Sequence, residues 1–256
     1  MSHVTDYTAS QNPNIEHCQK HGRYESRHII GKIWSGCPDC IKESYAAEQT
    51  RLELEQMEER SRAWGRRIGQ AGIPERFRDR SLDTFIATGE GQKHALEVCK
   101  RYAEHFQDVS RRGSCILMCG KPGTGKTHLA VGIGVHVLEK LRKTVLFTTV
   151  MRAVRMVKET YNKNSERTEA QAIAELVYPD LLILDEVGVQ FGSDTEKLIL
   201  FEVLNERYEK RKPTIFLSNK DLDGIKAFLG ERVYDRLRED GSEYISFTWD
   251  SYRGRA

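Results

Sequence analysis

"SCILMCGKPGTGKTHLAVGIGVHVLEKLR" occupies residues 114–142. The apolar run Ile116, Leu117 and Met118 predicts a buried strand, and it leads straight into a glycine-rich turn. Gly120, Lys121, Pro122, Gly123, Thr124, Gly125, Lys126 and Thr127 match G-x-x-x-x-G-K-[ST] at every position. His128 follows at once, and a helical pattern follows that. Each position has a chemical reason. The glycines let backbone N–H groups close around phosphate oxygens, and the helix starting near Lys126 turns its positive end toward the same anion. The ammonium of Lys126 suits the β- and γ-phosphates, and the hydroxyl of Thr127 suits Mg²⁺. These eight residues and His128 form the expected cofactor-binding set.

The rest of the carboxy-terminal part alternates in the same way. "TVLFTTV", "DLLILDE", "TIFLSN" and "YISFTW" are expected strands, separated by helical patterns such as "EKLILFEVLNERYEKR" and "ERVYDRLRED". Strands alternating with helices imply an α/β fold, a parallel sheet covered by helices on both faces. The buried strand "LLILDE" delivers two carboxylates at its carboxyl end, where parallel sheets bind their ligands. Asp185 is expected to hold the Mg²⁺ shell, and Glu186 to act as general base or orient the attacking water. Asn219, at the tip of "TIFLSN", either reaches the γ-phosphate or the attacking water, or else opens a turn or caps the next helix.

Composition narrows the setting. The chain has 256 residues, enough for one sizeable domain and a small one. Its 40 Lys+Arg against 38 Asp+Glu leave a net charge of +2, so any nucleic-acid contact must come from a local patch. No apolar run approaches the roughly 18–20 residues that span a bilayer, and "MSHVTDYTAS" lacks a signal-peptide layout. The chain is expected to be cytoplasmic, where disulfides are rare. Cys99, Cys115 and Cys119 are expected to be small buried side chains.

Three other cysteines cluster near the start, in "CQKHGRYESRHIIGKIWSGCPDC", residues 18–40. Cys18-x-x-His21 and Cys37-x-x-Cys40 are two ligand pairs separated by fifteen residues, the pattern of a tetrahedral Zn²⁺ site. Four protein ligands leave no open position, so such a zinc would be structural. Residues 1–41 are therefore expected to form a zinc-binding head, 42–72 a helical linker and 73–256 the main domain. Leu54, Met57, Ser61, Trp64 and Ile68 recur at helical spacing in the linker, until Gly69, Gly72 and Pro74 end it.

With "IPERF", "GKPGTGKTHLA", "LLILDEVGVQ", "LSN", "LGERVYDRLR" and "FTWDSYR" in view, residues 70–256 resemble the AAA+ ATPases of the DnaC type. The resemblance implies an AAA+ P-loop NTPase that uses ATP to load the replicative hexameric helicase onto single-stranded DNA as replication begins. It implies Walker A at Lys126 and Thr127, Walker B at Asp185 and Glu186, and sensor 1 at Asn219. Arg236 would be an arginine finger reaching a neighbour's site, with Arg232 beside it, and Arg253 a sensor 2-like arginine. Hydrolysis would then be stimulated by self-assembly into an ATP-bridged oligomer and by DNA. Arg152, Arg155, Lys158, Lys163 and Arg167, with Tyr161, fall where related loaders face DNA. A solvated helix face is the alternative. The best-known DnaC-type loaders lack a matching metal cluster, although some related loaders carry a small zinc-binding head. IstB-type regulators of transposition share the same core and are the rival reading.

Overall fold

The computed structural model describes residues 14–188, 193–239 and 241–252. The chain forms two compact units, Met1–Trp64 and Gly65–Ala256. The division falls inside the stretch expected as a linker.

The first unit is built on two small hairpins. β1 (Asn14–Cys18) pairs antiparallel with β2 (Gly22–Ser26), Cys18 opposite Gly22. β3 (His28–Ile30) pairs with β4 (Ile33–Trp34) across a tight turn at Gly31. Ser26 is fully buried and donates to Ser35 O at 2.7 Å, tying one hairpin to the other. Asn14 and Ile15, at the end of a polar stretch without a sequence pattern, belong to β1. Helix α1 (Pro38–Gln70) begins four residues earlier than the sequence pattern suggested. Pro38 opens it because a first-turn residue needs no N–H, and Asp39 complements the positive helix end. Leu54 and Met57 of the expected stripe are exposed, and the side chain of Ser61 lies outside the described residues.

In the second unit the end of α1 buries Ile68. A 3-10 turn at Glu75–Phe77 follows, then α2 (Glu90–Glu104) and α3 (Phe106–Arg112). The stretch "QKHALEVCKRYAEHF" reads as one helix through residue 106, and the structure interrupts it at His105. Five strands form the sheet: β5 (Ile116–Gly120), β6 (Val145–Thr149), β7 (Leu181–Asp185), β8 (Thr214–Ser218) and β9 (Glu243–Phe247). All pair in parallel, in the order β6-β7-β8-β5-β9. Ala71 O accepts from Phe147 N–H at 2.7 Å and so partly covers the edge at β6.

The connecting helices are α4 (Lys126–Glu139), α5 (Val150–Lys158), α6 (Glu169–Val177), α7 (Asp194–Glu209), α8 (Leu222–Leu229) and α9 (Glu231–Arg238). α4 packs on β6, β7 and β8, with α2 beside it. On the other face α5, α6 and α7 close over Leu117, Leu184 and Phe216. The central strands are buried on both sides, which explains their unbroken apolar runs. The expected parallel sheet with helices on both faces is therefore present. α8 has no counterpart in the sequence reading. Among the described residues, no helix is long and apolar enough to cross a membrane.

Candidate nucleotide site and metal centre

The glycine loop joins β5 to α4 with Gly120, Gly123 and Gly125 at φ 126°, 77° and 99°. Gly125 has a second reason to lack a side chain, because a Cβ there would stand 2.6 Å from the Phe85 ring. No side chain caps α4 and its first turn holds no acidic group, so its positive end faces the loop uncompensated. Lys126 is 7% exposed, and its ammonium donates to Gly120 O and Lys121 O at 2.7 Å each.

Strand order sets the other half of the site. β8 lies between β5 and β7, so its tip, carrying Ser218 and Asn219, stands between the glycine loop and the acidic pair. Thr127 Oγ1 donates to Asp185 Oδ2 at 3.3 Å. Asp185 Oδ1 accepts from Glu186 N–H at 2.7 Å. Burial raises the carboxyl pKa of Asp185, and the Glu186 N–H, Thr127 hydroxyl and Lys126 charge only partly offset it. A half-buried carboxylate beside a hydroxyl fits a divalent cation, which would supply positive charge at the phosphates. Glu186 sits at φ 61°, a left-handed conformation costing about 1–3 kcal/mol in a non-glycine residue. This kink turns the chain out of the strand at the acid. Val187 N–H then bonds Leu217 O at 2.9 Å, restoring the link to β8.

Pro122 to His128, Asp185, Glu186 and Asn219 line one cavity of about 530 Å³. Asn219 does not cap α8; Asp221 does, accepting from Gly224 N–H at 2.9 Å. His128 lies half inside the wall. Burial lowers its pKa, its Nε2 stands 3.0 Å from Ser81 O, and its ring packs edge-on against Phe85. Gly120 and Lys121 face elsewhere. A Cβ on Gly120 would meet Phe247 O at 2.3 Å, and Lys121 N–H donates to that same oxygen at 3.2 Å.

In the first unit, Cys18 and His21 flank the β1–β2 turn, while Cys37 precedes α1 and Cys40 lies in its first turn. The four ligand atoms lie within 4.8 Å of one another. Cys18 Sγ is 3.5 Å from Cys40 Sγ, and His21 Nδ1 is 3.3–3.8 Å from the three sulfurs. A tetrahedron with Zn–S of about 2.3 Å separates its sulfurs by about 3.8 Å, so the donor set fits zinc. Backbone N–H groups of His21 and Lys20 push the Cys18 thiol down to about 6, whereas its hydrogen bond with Cys18 pushes the Cys40 thiol up to about 11. His21 Nε2 is 3.1 Å from Glu43 Oε1, the outer carboxylate that orients a metal-binding imidazole.

A family model described as IstB-like ATP binding protein matches residues 95–256. The chain belongs to this IstB-like family. It is 38% identical over 208 residues to a protein named replicative helicase loader DnaC from Buchnera aphidicola subsp. Acyrthosiphon pisum (strain APS), covering 80% of this chain and 83% of that protein. It is 36% identical over 214 residues to the protein of the same name from Escherichia coli (strain K12), covering 84% of each. A crystal structure of the DnaC helicase loader shares the fold, with a TM-score of 0.60 at 23% identity over 68% of this chain and all of that one. AMPPCP-bound DnaA from Aquifex aeolicus aligns with a TM-score of 0.54 at 25% identity, over 68% of this chain and 51% of that one. The resemblance to DnaC-type AAA+ ATPases is borne out, and the cavity belongs to an ATP-binding ATPase.

For an IstB-like ATPase the remaining arginines are informative by where they lie. Arg236 is absent from the residues lining the cavity; its guanidinium bonds Asn205 Oδ1 and lies 4.8 Å from the Tyr208 ring. Arg232 lies over Phe201, and Arg253 is outside the described residues. The basic stretch is partly engaged internally: Lys158 pairs with Glu196, Arg167 with Glu175, and Tyr161 donates to Glu169. The sequence reading missed Arg76, Phe77, Arg80, Phe85, Trp249 and Tyr252, which wall the cavity from both chain directions. Arg76 and Phe77 lie in "IPERF" and Trp249 and Tyr252 in "FTWDSYR", while Arg80 and Phe85 fall in neither stretch.

Proposed function

We propose that this protein is an ATP-dependent loader of the replicative hexameric DNA helicase onto single-stranded DNA, acting in the cytoplasm at the start of replication. The observation that carries the proposal is 36–38% identity, over four-fifths of this chain, to proteins named replicative helicase loader. The cavity geometry is consistent with it. Lys126 would bind the outer phosphates, Thr127 and Asp185 would hold Mg²⁺, Glu186 would activate water and Asn219 would sense the γ-phosphate. Arg236 would complete a neighbour's site, so hydrolysis would depend on self-assembly and be stimulated by DNA. Its absence from the lining of the chain's own cavity supports that role, and Arg152, Arg155 and Lys163 are the remaining cations for DNA. Arg253 keeps its sensor 2-like role in this reading.

Residues 1–41 would be a zinc-binding head, 42–72 a helical linker and 73–256 the motor. Cys18, His21, Cys37 and Cys40 would hold the structural zinc. Ile29, Ile30 and Ile33 are 64%, 68% and 58% exposed on the head, a natural grip for a protein partner. Regulation of transposition shares the family description but not the relatives' names.

The test is capture of a purified hexameric helicase by the full-length protein, with and without Cys37→Ser and Cys40→Ser. Retention by the parent alone is expected. A parent that holds a transposase and no helicase would sink the loader reading.

A further inference from the structure

Beyond Phe247 the chain turns back across the glycine loop. It bonds the loop at three points: Lys121 N–H to Phe247 O at 3.2 Å, Trp249 Nε1–H to Thr124 O at 3.0 Å, and Tyr252 N–H to Gly123 O at 2.9 Å. The Lys121 ammonium stands 3.8 Å from Asp250. The Trp249 indole is held from two other sides. Its centroid is 4.7 Å from that of Phe247, and a Cβ on Gly91 would lie 3.3 Å from its six-membered ring. The first turn of α2 therefore backs the ring whose N–H touches the loop.

A trans peptide points its C=O and the following N–H in opposite directions. Holding Gly123 O and Thr124 O on the strap side aims the N–H groups of Thr124 and Gly125 toward the other side, into the loop. We propose that Trp249 and the Tyr252 amide are positioning groups that fix these two peptide planes for the β-phosphate of the nucleotide. Neither touches the reacting atoms. The proposal rests on the cavity being a nucleotide site. It assigns to the indole a task that the sequence resemblance gave to nothing in this segment except Arg253. Gly120, outside the cavity lining, tolerates no side chain because the Phe247 carbonyl at the end of β9, from which this segment departs, occupies that space.

The test compares ADP and AMP, because only ADP carries a β-phosphate. Both dissociation constants are measured for the full-length protein by displacement of a fluorescent ADP analogue. Trp249→Phe keeps an aromatic wedge and removes the N–H. It is expected to lower the preference for ADP over AMP about three- to tenfold, the range for one lost hydrogen bond, with AMP affinity little changed. An unchanged preference overturns the proposal, whether both affinities stay or fall together. If Trp249→Phe does not fold, Tyr252→Pro, which removes the amide proton, is compared with Tyr252→Ala, which removes only the ring. A greater loss of preference with proline supports the strap, and equal losses overturn it. A parent that binds no ADP overturns the nucleotide reading itself.

Discussion

Arg207→Met is the sharpest test of what holds the motor together. Arg207 is 1% exposed, and its guanidinium makes five contacts. Nε donates to Thr214 Oγ1 at 2.9 Å, and Nη2 to Pro213 O at 2.6 Å. Nη1 is shared among Leu176 O at 3.1 Å, Val177 O at 2.8 Å and Pro179 O at 3.0 Å. Two of these carbonyls end α6, so the cation sits on the negative end of a helix dipole. Burial still pulls its pKa down to about 10. Methionine fills the stem's volume but strands four carbonyls and a hydroxyl. Each stranded acceptor costs about 1 kcal/mol or more, and removing the buried charge returns part of that. A net loss of about 3–5 kcal/mol follows, comparable with breaking a buried ionic network. At about 2–4 °C per kcal/mol for a chain of this size, the melting midpoint should fall by about 6–20 °C. Circular dichroism melts of parent and variant measure it directly. Saturating ADP should still raise the variant's midpoint, because Arg207 does not line the nucleotide cavity. A midpoint within about 2 °C of the parent would refute the cage as a stabilising element. Arg207→Lys, with one ammonium for five acceptors, should fall between the two.

The chemistry and the head can be tested separately. Glu186→Gln should keep ATP affinity and lose about 100-fold or more in phosphate release, since a lost general base costs about that much. Undiminished release would remove Glu186 from that role. Arg236→Ala should also be inactive, yet mixing it with Glu186→Gln should restore part of the turnover, because hybrid interfaces pair an intact acid with an intact arginine. No recovery at any mixing ratio would exclude action in trans. Cys37→Ser should reduce bound zinc from about one per chain by elemental analysis, while ADP affinity stays at the parent value. Zinc retained in full would exclude Cys37 as a ligand.

The parts of the fold legible in the sequence are those whose signal is local. Leu181 to Leu184 is an apolar run because β7 is buried on both faces, so its strand and the acids at its end could be read without coordinates. β1 could not, because four of its five residues are exposed and leave no apolar alternation to detect. α8 is only eight residues long and contains Gly224, too short and too permissive for a periodic pattern. The break at His105 sits inside a helical pattern that gives no local sign of it.

The sequence by itself determined the phosphate loop, the acidic pair and the four-ligand cluster, because spacings of a few residues impose each geometry. Tertiary structure decided which distant groups finish them. Only the strand order brings the tip of β8 between loop and acids, and only the placement of β9 beside β5 carries an indole to a carbonyl 125 residues away. It also left Arg236 outside its own cavity and enclosed Arg207 among carbonyls from two separate segments, residues 176–179 and Pro213. A short motif fixes the chemistry a chain can offer. The packing of buried sheet faces fixes which remote donors and acceptors meet, and no local spacing encodes that meeting.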